Sequence, residues 1–200
     1  MIAGFIAFAY LCGSIPFGLL IARWKSGKDV RTVGSGNIGA TNVARAAGRG
    51  AAIATLVLDA LKGLLPVLLA ARVAASPASM DHPKPWLAAA CAVAAVAGHC
   101  FPFWLRFRGG KGVATGLGVA LALAPWGALA GALVWLVFFK LLRISSVGSL
   151  AGVTTAVLVA VFTAGKPAVL GLAAVALLVI IRHAGNIQRL LARQENQGKP

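Results

Sequence analysis

Six apolar stretches dominate this 200-residue chain, at residues 2–23, 51–72, 86–103, 112–142, 147–163 and 167–188. Hydrocarbon about 30 Å thick is crossed by roughly 20 apolar residues in helical form. Within it, every backbone N–H and C=O must find a partner inside the segment or in a closed barrel. Stretches this long and continuous therefore predict one fold class: an all-α polytopic membrane bundle, a single domain over 1–200. Charged residues make up 12% of the chain, against about 25% in a soluble domain.

The stretch 112–142 is 31 residues long and is broken by Pro125-Trp126-Gly127. It is one long helix or two short ones, and charge decides between them. With seven spans and the N-terminus outside, 15 Lys and Arg fall on the cytoplasmic side and three outside; with six spans the split is 10 to 8. Cytoplasmic loops of membrane proteins are enriched in Lys and Arg, so the expectation is seven transmembrane helices, near 2–23, 51–72, 86–103, 112–125, 127–142, 147–163 and 167–188, with the C-terminus cytoplasmic. The first span carries its charges (Arg23, Lys25, Lys28) after the apolar run. It reads as a retained helix rather than a signal peptide. The stretch 76–85 reads as a polar connector, and the tail from Gln194 as mobile.

The net charge of +15 could suggest nucleic acid, but the basic residues sit in short clusters between spans, and topology accounts for them. Cys12, Cys91 and Cys100 have no metal-binding or CxxC spacing and read as free thiols. His99 beside Cys100 reads as packing. Asp59 and Lys62, inside the second span, are an i,i+3 pair that can neutralise itself.

The polar chemistry crowds the inner face. GSGNIGATN, Gly34 to Asn42, is flanked by Arg31, Arg45 and Arg49. Its backbone N–H groups could surround an anion; Ser35, Thr41, Asn37 and Asn42 add donors, and Arg45 can reach two phosphate oxygens at once. Gly36 gives the turn its freedom. The segment Arg108-Gly109-Gly110-Lys111-Gly112 opens a helix, whose N-terminus favours anions, although Gly112 after the lysine rules out a Walker A loop. His183 and Asn186, three apart, lie on one helix face; the histidine is a base or a donor to an anion. No His-x-x-x-x-Asp motif exists, because Leu87, Trp104 and Gln188 stand five residues after the three histidines. The inner segments carry only Asp29 and, in the tail, Glu195, so phosphate handling without metal or cofactor is expected.

These residues resemble a known family. GSIPFG (Gly13 to Gly18), GSGNIGATN with Arg45, GHCFPF followed by FRGGKGVAT (Gly98 to Thr115) and RHAGNIQRL (Arg182 to Leu190) are similar to the bacterial acyl-phosphate-dependent glycerol-3-phosphate acyltransferases, from residue 13 to about 191. The resemblance implies a seven-helix inner-membrane enzyme with its active site facing the cytoplasm. Such an enzyme moves a fatty acyl group from acyl phosphate to the sn-1 hydroxyl of glycerol 3-phosphate, giving lysophosphatidic acid and phosphate. It implies His183, Asn186 and Ser35 as catalytic residues. Arg45, Lys111, Gly109, Gly110, Gly112, Gly36, Asn37, Thr41 and Ser149 would bind substrate phosphate. The implied partners are the two substrates, membrane lipid and the soluble enzyme that makes acyl phosphate; a monomer and no nucleic acid are expected. The family usually has a glutamate where this chain has Gly185, and Arg108 stands for a more usual lysine. The alternative from the residues alone is an organic-anion transporter or channel. That reading needs polar residues at mid-membrane depth and on both faces, whereas here they crowd one. A scaffold acting through basic loops leaves the glycine and histidine pattern unexplained.

Overall fold

The computed structural model describes residues 1–75 and 85–194; most of the connector 76–85 and most of the tail lie outside them. Among the described residues the regular structure is all helical. The helices are α1 (Ile2–Ser14), α2 (Phe17–Ser26), α3 (Ala40–Ala74), α4 (Leu87–Cys100), α5 (Val113–Leu123), α6 (Pro125–Leu142), α7 (Ser145–Thr163), α8 (Lys166–Arg182) and α9 (Ala184–Leu191).

The bundle is built with small residues inside and large apolar ones outside. Ala9, Ala70, Ala92 and Ala95 are fully buried, whereas Leu65, Leu133 and Phe162 face outward, Phe162 at 87% exposure. Lipid tails offer no hydrophobic drive between helices, so close backbone approach by small residues holds them together. Between α6 and α7 a Cβ on Gly131 would lie 2.5 Å from the Gly152 carbonyl oxygen, and between α3 and α5 one on Gly118 would lie 1.9 Å from that of Ala60. Two polar contacts fasten α1 to the end of α4: the Tyr10 hydroxyl donates to the Phe101 carbonyl at 2.7 Å, and Trp104 Nε1 donates to that of Ser14 at 2.6 Å.

Several expected spans differ in detail. The first is two helices broken at Ile15-Pro16, where proline supplies no N–H. The second belongs to the 35-residue α3, which bends at Gly48 (φ 86°, ψ 175°). That conformation is open to glycine, and it sets residues 40–47 apart as a short helix carrying Arg45. The break expected near Pro125 is found: α5 ends at Leu123 and α6 starts at Pro125. Among the described residues five segments are long and apolar enough to cross a membrane, and a sixth is if α8 and α9 count as one bent span. The seventh of the expected set, α5, has 11 residues, about 17 Å at 1.5 Å per residue.

Candidate active site

The segment before α3 is organised by two side chains. Asp29 is gripped by Arg31 through its backbone N–H at 3.0 Å and its guanidinium at 2.6 Å, and by Arg23 at 2.9 Å. The hydrogen bonds from Arg31, side chain first and backbone second, hold the Asp29 carboxyl well below the usual carboxylate range, and Asp29 in turn raises Arg31. Asn42, buried in the first turn of α3, reaches back across the loop. Its Nδ2 donates to the carbonyls of Val30, Val33 and Asn37 at 2.8–2.9 Å, and its Oδ1 accepts the Ser35 N–H at 3.2 Å.

This arrangement corrects the anion-nest reading for three amides. The N–H groups of Ser35, Gly36 and Gly39 go to Asn42 Oδ1, the Val33 carbonyl and Asn37 Oδ1. Asn37 thus holds the loop's own backbone, and Gly36 supplies a positive φ of 68°. What the loop presents outward is the exposed Ser35, with Arg45 lying along Gly34; a Cβ there would be 3.2 Å from Arg45 Cδ. Thr41 reaches a different partner, its hydroxyl 3.3 Å from that of Ser145 at the start of α7. Ser149, one turn further on and buried, donates to the Ser145 carbonyl at 2.8 Å.

The second segment folds onto the end of α4. The N–H groups of Gly109 and Gly110 donate to the carbonyls of Cys100 and His99 at 3.1 and 3.0 Å. On the other side, Arg182 donates to the Gly110 and Gly109 carbonyls at 3.1 and 3.0 Å while its guanidinium lies 5.2 Å over the Phe101 ring. The two glycines are therefore engaged through both N–H and C=O, and they serve close approach. A Cβ on Gly109 would fall 2.1 Å from the His99 carbonyl oxygen, and one on Gly110 would fall 2.0 Å from His99 Nε2. Gly112 (φ 85°) turns the chain into α5. This tightly held loop delivers Lys111, which donates a hydrogen bond to Asn186 Oδ1.

The third segment is not one continuous helix face. The helix breaks at His183 (φ −95°, ψ 4°), with a 56° bend between α8 and α9. The His183 carbonyl accepts the N–H groups of Asn186 and Ile187 at 2.8 and 2.9 Å, so the histidine closes one helix and starts the next. Its ring is 2% exposed, and Nδ1 lies 2.7 Å from the Val179 carbonyl. A carbonyl only accepts, so Nδ1 carries the proton. At Gly185 a Cβ would lie 3.6 Å from Arg189 Nη1; with no carboxylate there, Asn186 is held by Lys111 and by the His183 carbonyl.

Four polar segments thus converge on one end of the bundle. Where the first faces the second lies a cavity of about 490 Å³, whose lining includes Asp29, Arg31, Thr32, Gly36, Arg108 and Arg182. Asn42 is expected from the sequence to be a donor to an anion and is found instead to hold the loop, and Arg182, which shapes the second loop, is not singled out from the sequence as a site residue. The only signal available for Arg182 was its place inside a polar motif.

The sequence profile of a family described as glycerol-3-phosphate acyltransferase matches residues 3–193. A protein named glycerol-3-phosphate acyltransferase from Anaeromyxobacter sp. (strain K) is 52% identical over 194 residues, covering 96% of this chain and 94% of that one. Another of that name, from Myxococcus xanthus (strain DK1622), is 48% identical over 198 residues, covering 98% and 100%. The crystal structure of PlsY (YgiH), an integral membrane glycerol 3-phosphate acyltransferase, in its glycerol 3-phosphate form superposes with a TM-score of 0.89 at 40% identity, over 98% of this chain and 94% of that one. Its lysophosphatidic acid form gives 0.86 at 38% identity, with the same coverage.

Proposed function

The chain belongs to the glycerol-3-phosphate acyltransferase family, and from that premise we propose that it transfers a fatty acyl group from acyl phosphate to the sn-1 hydroxyl of glycerol 3-phosphate, releasing lysophosphatidic acid and phosphate. The observation that carries the choice of donor is the presence of two cationic places at one end of the bundle. One is Lys111 on Asn186 beside His183; the other is the cavity with Arg31, Arg108 and Arg182. Two phosphate-bearing substrates need two such places, whereas a thioester donor brings no phosphate next to its reacting carbonyl.

Acyl phosphate is a mixed anhydride with a good leaving group, so the protein's task is alignment and charge stabilisation. In the proposed reaction the sn-1 oxygen forms a bond to the acyl carbon and the bond from that carbon to the phosphate oxygen breaks. The hydroxyl proton passes to the departing phosphate. Lys111 and Arg45 hold the glycerol 3-phosphate phosphate, with Gly112 placing the lysine and Thr41 and Ser149 adding hydroxyls. Ser35 and Asn186 donate to substrate oxygens, and His183 orients the hydroxyl through Nε2. Arg108 and Arg182 hold the acyl-phosphate head, and the acyl chain lies between helices open to the bilayer. We place this site at the cytoplasmic face of the inner membrane, in a monomer of seven passes with the N-terminus outside. A soluble enzyme would supply the donor.

Purified protein in detergent, given glycerol 3-phosphate with acyl phosphate, acyl-CoA or acyl-carrier protein in turn, tests the reading. Lysophosphatidic acid should form from acyl phosphate. Product from acyl-CoA and none from acyl phosphate would overturn the choice of donor.

A further inference from the structure

Beneath the lysine loop lies a polar cluster that the proposed chemistry leaves unused. Asp59 and Lys62 come from the middle of α3 and His99 from the last turn of α4. Their side chains are each 3% exposed. Lys62 Nζ lies 2.7 Å from Asp59 Oδ1 and donates to the Ile15 carbonyl at 2.7 Å, at the break between α1 and α2. It also lies 5.7 Å over the Phe17 ring. His99 Nδ1 faces the same carboxylate oxygen at 3.7 Å, too far for a hydrogen bond. Asp59 Oδ1 and His99 Nδ1 have no directed hydrogen bond, and the Lys62 contact is ionic rather than well aimed.

Three ionisable side chains inside a membrane bundle cost several kcal/mol unless their arrangement is closely held. An i,i+3 pair on α3 alone would need no third member. The third member reaches the active site directly. The other edge of the His99 ring, Nε2, fills the space a Cβ on Gly110 would take, and the His99 carbonyl accepts the Gly110 N–H. Lys111 follows at once.

We propose that Asp59, Lys62 and His99 form a pedestal that sets the height of Gly110 and so the position of Lys111. The three are positioning residues. Asp59, paired with Lys62, backs the His99 ring from within the membrane, and the ring fills the space under the loop. The cluster also ties the α1–α2 break, through Ile15, to the same loop. This makes the mid-membrane charges part of substrate binding rather than a self-contained pair.

The inference rests on Lys111 as a substrate-binding residue, and the test separates the two. In a background with Cys12, Cys91 and Cys100 replaced by alanine, Lys111→Cys is labelled with a water-soluble maleimide, with and without His99→Ala. A labelling rate shifted about fivefold or more by His99→Ala is expected, and this readout needs no activity. In parallel, kinetics with whichever acyl donor supports turnover compare Gly110→Ala, His99→Ala and the double variant. Gly110→Ala should raise the KM for glycerol 3-phosphate at least tenfold, and adding His99→Ala, which makes room for the methyl, should recover part of that loss. Losses that simply multiply, as for independent sites, together with an unchanged labelling rate, would overturn the proposal. If His99→Ala does not run as a folded species on size exclusion, His99→Asn takes its place.

Discussion

Lys111 donates a hydrogen bond to Asn186 across 75 residues of sequence. The contact joins the loop after α4 to the helix after α8, and it makes two motifs one site. A charge-assisted bond of this kind is worth about 1.5–3 kcal/mol. Asn186→Ala should therefore lower kcat/KM for glycerol 3-phosphate roughly 10–100-fold. Lys111→Ala should cost on the order of 100-fold or more, and the double variant should be little worse than Lys111→Ala alone. Steady-state kinetics in a double-mutant cycle checks this; independent losses would separate the two residues.

His183 is tied down by Nδ1 and buried, an arrangement that suits orientation. His183→Ala should raise the KM for glycerol 3-phosphate more than it lowers kcat, leaving the pH–rate profile unchanged. A fall in kcat at all pH values with KM intact would make it the base instead.

The cavity beside Arg108 gives a prediction of the opposite selectivity. Arg108→Ala should raise the KM for acyl phosphate about tenfold, the effect of about 1.4 kcal/mol, and leave the KM for glycerol 3-phosphate nearly unchanged. Initial rates with each substrate varied in turn decide it.

Asn42 organises the first loop from inside, and the Asn42→Ala variant leaves buried carbonyls without a donor, each costing about 1–3 kcal/mol. Amide hydrogen exchange over residues 30–39 should speed up at least tenfold, with activity falling alongside. Unchanged exchange at Ser35 would mean that the side chain does not hold the loop.

Asp29 has its carboxyl pKa depressed by Arg31 and Arg23. A depressed carboxylate contributes stability that is fully present above its unfolded pKa, near 4, and is lost as pH falls through the lower folded value. The melting-temperature difference between wild type and Asp29→Asn should then stay constant from pH 8 down to about 5, and shrink only in stronger acid. A difference that fades between pH 8 and 6 would point to another group.

Much of this was legible in the sequence because membranes reward simple patterns. Apolar length located the helices, and Pro125 marked the α5–α6 turn. The clustering of glycine, asparagine and arginine marked the segments that meet at one end. What was hidden depended on distance in three dimensions. Ile15-Pro16 sits inside an unbroken apolar run, so composition could not show the break. Gly48 looked like any other glycine between helical residues. The donors of the Gly34–Asn42 loop were counted as available, because nothing local says that Asn42 folds back to take them. His99 and Asp59 are 40 residues apart, on different helices, and only the packing of α3 against α4 brings them together. His183 and Asn186 have helical spacing, but the bend between them follows from how α8 ends.

The short α5 has one more consequence. A helix of about 17 Å is shorter than hydrocarbon of about 30 Å; if α5 crosses the membrane, as proposed, the lipid around it has to thin, because tilt would only shorten its reach. Bilayer thickness thereby becomes a variable of the enzyme. The lipids that such an enzyme helps to make, through the length of the chains it attaches, set the thickness of the medium in which its own α5 has to fit.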